Sequence, residues 1–259
     1  MASSSTGLKL AAFGFAAALA APAVAADLPT KKEPPALAPV APVQPLNFFV
    51  RLGVVYAINT TSSTIDFTPR PGAPQIQMPG AGATIGNVGT IGVEVGYFVT
   101  PNISIDIAAG LPQWAHDSIT NVPLAVTVGT GGALTSGTIL AKVMPTAIPL
   151  TINYHFMDWG AFQPYVGAGL APVFSFQTHD AFATGVSVQP TVGAVLDVGT
   201  DVMFDRHWGV NFDVKKLFAS ITTTNSSNVL TRGTPFLLPG KQTTSFQPWV
   251  LSTAVTYRF

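Results

Sequence analysis

Cysteine is absent from the 259 residues, which excludes disulfides and a thiol-linked lipid anchor and is compatible with an oxidising compartment. Charge is scarce as well. Only 9% of residues are charged and the net charge is zero, where ordinary soluble domains carry roughly 25%. A neutral chain has no basic patch with which to release counterions from phosphates, so no nucleic-acid partner is expected. Long apolar runs are missing too: beyond the N-terminus no stretch reaches the ~18 residues that a membrane helix needs. The chain is too apolar for a water-facing surface and too interrupted for spanning helices. A bilayer satisfies no backbone hydrogen bonds, so the remaining way to cross it is a closed β-barrel without edges.

What is present begins with residues 1–26, which read as a signal peptide: Lys9 as the positive flank, Leu10 to Ala21 as the apolar stretch, and Ala23-Val24-Ala25-Ala26 as small residues for cleavage. The cut falls after Ala25 or after Ala26, and the competing reading is an uncleaved anchor. Residues 27–46 hold six prolines and few bulky side chains. They suit an extended periplasmic tether, either a solvated spacer or a contact with the cell wall. The barrel is then expected over 47–259.

The clearest strand is the last one. Trp249, Leu251, Thr253, Val255, Tyr257 and Phe259 share one face, and Ser252, Ala254, Thr256 and Arg258 share the other, the period of two that a half-apolar strand requires. Seven more segments repeat the pattern, each setting aliphatic residues against glycine, polar or charged ones. Turns near 100, 158 and 206 are tight, whereas 60–87, 112–140, 177–189 and 222–245 are long and rich in Gly, Thr, Ser and Asn. Short turns on one side and long loops on the other are the pattern of an eight-stranded antiparallel outer-membrane barrel with both termini periplasmic. A soluble barrel would place its apolar face inside. Here the charges lie opposite the aliphatic stripe, so the apolar face meets lipid. A terminal strand ending in Phe259 suits recognition by the barrel-assembly machinery, and a monomer is expected.

Several runs resemble the OmpW family of small outer-membrane proteins. They are Gly160-Ala161-Phe162-Gln163-Pro164-Tyr165-Val166-Gly167-Ala168-Gly169-Leu170, the preceding Ile148 to Phe156, Ala108 to Asp117, Asp201 to Thr224, and Tyr257-Arg258-Phe259. The resemblance covers about 48–259 and departs from the family at the tether, in the spacing before Pro112 and at 177–189. It implies a narrow interior that passes or binds small apolar molecules, with a channel from the external loops to a lateral opening into the lipid.

An eight-stranded barrel is just wide enough for its own side chains, so inward charges must pair. Arg51, Arg258, Lys215 and His155 face Glu94, Asp106, Asp197, Asp201 and Asp213. The expected arrangement is an ionic plug at the periplasmic floor; the rival is a gated ion path through the same charges. Above it, Val55, Ala57, Leu111, Met144, Val173 and Val250, with Trp114 and His116 at the second loop, form either a hydrophobic ligand pocket or a packed core. Trp114 reads equally as a ligand contact or an interface anchor. His116-Asp117-Ser118 has the residue types of a nucleophilic triad but not the geometry, since neighbours on a strand do not converge. The four histidines lack metal-ligand spacing. No enzyme activity, metal or cofactor is expected. The function expected is passage or binding of small hydrophobic solutes, leaving sideways into outer-membrane lipid above the plug. The alternative is an adhesive or structural envelope protein that presents its loops.

Overall fold

The computed structural model describes residues 47–67, 74–78, 80–124, 134–225, 228–231, 234–237 and 240–259; the expected signal peptide and tether lie outside them. Eight antiparallel strands form the wall. β1 is Phe48–Ile58 continued by Thr61–Phe67, and β2 is Gly82–Ile85 followed by Val88–Phe98. β3 is Ile103–Gly110 and then Ala115–Thr120, and β4 is Ile139–Ala147 and then Leu150–His155. β5 (Phe162–Asp180) and β7 (Trp208–Asn225) are unbroken. β6 is Thr191–Met203, and β8 is Gly240–Phe246 followed by Trp249–Arg258. Each strand pairs with the next, and β8 pairs with β1 from Phe49↔Arg258 to Ile58↔Trp249, so the sheet closes. Closure is what lets so apolar a sheet exist in lipid without an unpaired edge.

Outside, the aliphatic stripes line up into a belt that includes Leu52, Val54, Ile91, Ile105, Ile152 and Leu196, all exposed. Ten or so residues per strand at ~3.3 Å, tilted by ~40°, give a height near ~25 Å, the apolar band of an outer-membrane barrel. At the end that carries Phe48 and Phe259 the belt is rimmed by aromatic pairs: Phe48 with Tyr97 (5.1 Å between centroids), Tyr154 with Phe156 (5.1 Å), and Trp208 with Tyr257 (4.7 Å). The amphipathic Tyr and Trp rings of these pairs suit a headgroup boundary. Turns here are tight. Asp205 Oδ1, for instance, accepts hydrogen bonds from the backbone N–H groups of His207 and Trp208, both at 2.7 Å.

At the opposite, loop end the strands run farther than the Gly, Thr, Ser and Asn composition suggests. Stretches expected as loops are wall: Thr61–Phe67 pairs with Gly240–Phe246, Ala115–Thr120 pairs with β4, β5 reaches Asp180 and β7 reaches Asn225. Threonine fits a pleated surface whether that surface meets lipid or water. Once lipid no longer demands aliphatic residues outside, the apolar alternation that marks a membrane strand fades while the ladder continues.

Candidate functional site

The barrel interior is layered along its axis, and the alternation of each strand decides what enters each layer. Nearest the terminal end lies an aromatic and ionic layer. Phe49, Tyr165 and His155 are fully buried there, and Phe98 packs edge-on against His155 at 4.8 Å. Such large side chains fit because glycines face them. A Cβ on Gly96 would overlap the Phe49 ring, and one on Gly199 would overlap the Tyr165 phenol.

The charged residues singled out in the sequence come together here. Arg51 pairs with Glu94, with Asp201 at 2.8 Å and with Asp106 at 3.7 Å. Arg258 reaches Asp201 at 3.1 Å. Lys215 lies 2.8 Å from Glu94, 2.8 Å from Asp213 and 3.1 Å from Asp197. The Tyr165 hydroxyl ties the two cationic centres together. It donates to Asp213 at 2.7 Å and accepts from Asn211 Nδ2 at 3.1 Å and Arg51 at 3.4 Å. Asp106 also accepts from Asn153 at 2.5 Å. These residues are at most 9% exposed, so each charge depends on its partners for the solvation that water would otherwise supply.

Above this layer the lining changes to small and aliphatic residues. A cavity of about 120 Å³ sits on the ionic layer, bounded by Val55, Gly92, Ala108, Ala147 and Val250. A second, of about 140 Å³, is lined by Val55, Ala57, Leu217, Phe246 and Val250, and also by Leu111, Pro112, Pro145 and Thr146. The last four belong to the wall itself. β3 and β4 pair from Ile103↔Tyr154 to Ile107↔Leu150 and again from Ala115↔Val143. Between these stretches the one backbone hydrogen bond among the described residues is Ala108 N–H to Pro149 O, at 3.0 Å. Pro112, Pro145 and Pro149 have no N–H to give the ladder, and the wall is interrupted beside the cavity.

Toward the loop end, Val173, Val195, Leu217, Ile221 and Phe246 close into an apolar cluster. Beyond it, among Ile65, Met78, Ile119, Leu134, Phe182 and Val186, lies a third cavity of about 60 Å³. Asp117 is buried at its floor. Burial in apolar surroundings raises its carboxyl to about 6, opposed by a hydrogen bond from Gln242.

Of the pocket residues expected from the sequence, Val55 lines both inner cavities, Leu111 stands at the wall gap, and Val173 is part of the loop-end cluster. Trp114 and His116 require correction. Ser104 and Asp106 point inward, but beyond the irregular stretch 111–114 it is Ala115, Asp117 and Ile119 that are buried. The phase slips by one residue, which turns the whole set to the other face. Both Trp114 and His116 are exposed on the outer wall, where the Trp114 ring lies 4.6 Å from His179. The same phase argument puts Val143, rather than Met144, inside. It also separates His116 from Asp117, one outward and one inward. Tyr165, which bridges the ionic layer, enters the sequence reading only within the family-like run 160–170; its place two residues from Gly167 on the same strand face is the available signal.

A model of the OmpW family matches residues 48–259. The uncharacterised outer-membrane protein y4mB of Sinorhizobium fredii is 37% identical over 168 residues, and the match covers 64% of this chain and 64% of that relative's length. The dibenzothiophene metabolism operon protein PahQ of Pseudomonas aeruginosa is 25% identical over 163 residues, 63% of this chain and 72% of its own. The crystal structure of the outer membrane protein OprG from Pseudomonas aeruginosa shares the fold, with a TM-score of 0.68 at 19% identity over 82% of this chain and 95% of that one. The family match and the closed barrel occupy the same stretch of chain, and the protein therefore belongs to the OmpW family, a β-barrel of the bacterial outer membrane.

Proposed function

We propose that the barrel passes or binds small hydrophobic molecules. Solute enters at the loop end, occupies the cavities lined by Val55, Ala57 and Val250, and leaves sideways between β3 and β4 into the lipid. One observation carries this reading: the 140 Å³ apolar cavity is bounded partly by the wall segments at which the ladder is broken. An apolar guest gains from leaving water for such a cavity. It has no comparable gain in crossing the paired charges of Arg51, Glu94, Asp106, Asp201, Asp213 and Arg258, which act as a plug on the terminal side. Similarity to a protein of a dibenzothiophene metabolism operon supports the solute class, since dibenzothiophene is an apolar aromatic. In this reading the tight-turn end and both termini face the periplasm, residues 1–26 are the cleaved signal, 27–46 are the tether, and the strand ending in Phe259 engages the assembly machinery. The protein works as a monomer.

The test is entry of an apolar fluorescent reporter into cells lacking the gene, complemented with the native chain or with Val55→Trp, a change that places an indole where Val55 borders both inner cavities. Native protein is expected to restore entry and Val55→Trp to leave it at background, at equal amounts of folded barrel judged by heat-modifiable migration. Equal entry in every strain overturns the transport reading and favours a structural role for the loops.

A further inference from the structure

The loop-end cavity contains a carboxyl group unlike those of the ionic layer. Asp117 on β3, Thr223 on β7 and Gln242 on β8 line this cavity and also the 20 Å³ space beneath it, so these three side chains mark the boundary between the two. Thr223 and Gln242 are partners across the β7–β8 ladder. Asp117 is 4% exposed, yet among the described residues its one side-chain hydrogen bond comes from Gln242 Nε2 at 3.5 Å, the long limit for such a contact. Gln242 makes its better bond, at 3.0 Å, to Thr244 Oγ1. No cation stands within ion-pair distance of Asp117 among the described residues. Lys241 lines the same cavity but is exposed. Below, by contrast, Glu94, Asp106, Asp197, Asp201 and Asp213 each lie within ion-pair distance of a cation. A buried acceptor that its own protein leaves underprovided is destabilising, and it becomes favourable when a guest brings the missing donor.

We propose that this cavity is a recognition site for small apolar molecules bearing one hydrogen-bond donor (an alcohol, a phenol or an amine), with the Asp117 carboxyl as the acceptor. The guest's apolar body meets Ile65, Met78, Ile119, Phe182 and Val186, and its donor points down to the Asp117–Gln242 boundary. Recognition of this kind discriminates sharply, because a guest without the donor leaves the carboxyl unpaired in an apolar setting. The route onward from the cavity rests on the conduit reading; the binding does not.

Phenol and toluene differ in this one respect and serve as probes. They are titrated into the full chain in phospholipid nanodiscs, at matched free aqueous concentrations, with binding read from amide shifts of the cavity residues. Phenol is expected to bind at least tenfold more tightly than toluene. Asp117→Leu should remove the difference by weakening phenol alone, while Asp117→Asn, which keeps a carbonyl acceptor, should retain most of it. A phenol-to-toluene ratio near one in the native protein overturns the proposal without any variant. So does a preference that survives in Asp117→Leu. A native barrel that prefers phenol but admits no apolar reporter to cells would sink the conduit and leave this site standing. Reporter entry with no phenol preference would do the opposite.

Discussion

The two halves of the barrel interior solve the same geometric problem in opposite ways. An eight-stranded barrel has room for one layer of large side chains or for a small void, not for both at the same height. In the terminal half that room is filled with Phe49, Tyr165, His155, Arg51 and Lys215, set against glycines and cross-linked by ion pairs. In the loop half the inward positions are mostly Val, Ala, Ile and Leu, and cavities remain between them. The difference teaches that closure and opening are chosen by side-chain volume and polarity within one continuous ladder. No domain or plug segment is needed.

The sharpest way to break this contrast is to remove one member of the filled half. Arg51→Leu takes away the cation beside Asp106 and one of the two cations beside Glu94 and Asp201, which keep Lys215 and Arg258. Loss of one partner from a buried ionic group is expected to destabilise by about 3–5 kcal/mol, read as a lower denaturant midpoint for the reconstituted barrel. Unchanged midpoints would show that the charges are not what holds the floor.

The loop half should respond to acid instead. Burial raises the Asp117 carboxyl from 3.8 to about 6, so between those values the folded barrel holds a proton that the unfolded chain has released. Stability therefore falls as pH rises through that window, by up to about 3 kcal/mol, and is highest below it. Asp117→Asn should flatten the profile there. A profile identical to native would remove Asp117 from the account.

Smaller again is Tyr165→Phe, which deletes the hydroxyl shared by Asp213, Asn211 and Arg51. A loss of ~1–3 kcal/mol is expected from the unmatched partners, without effect on reporter entry. The slightest change should follow Asp205→Ala at the tight turn. The backbone N–H groups of Trp208 and His207 hold this exposed carboxyl below its usual range. Its contribution is present above the unfolded value and is lost as pH falls through the folded one. The gap between variant and native should accordingly close in acid.

How much of this was legible in the sequence follows from where alternation is strict. Through the lipid belt, aliphatic residues on one face force polar ones to the other, so Arg51, Glu94, Asp106, Asp201, Asp213 and Arg258 were assigned inward from period alone, and all are buried. Above the belt the constraint lapses. The extension Thr61–Phe67 reads as loop because serine and threonine occupy both faces. The slip at 111–114 inverts Trp114 and His116, because one irregular residue reverses the parity on which the assignment rests. The prolines were the recoverable clue. Pro145 and Pro149 have no N–H to give a ladder, and together with Pro112 they lie at the interruption in the wall.

The glycine beneath Tyr165 has a consequence for how this barrel can change. Any side chain at 199 would take the place of the phenol, and a displaced phenol would release contacts to Arg51 on β1 and to Asn211 and Asp213 on β7. Position 199 on β6 is therefore not free to drift alone. A viable alanine there calls for a smaller residue at 165 and a new partner for each group left behind, a set of replacements on four strands that single steps reach only through weakened intermediates.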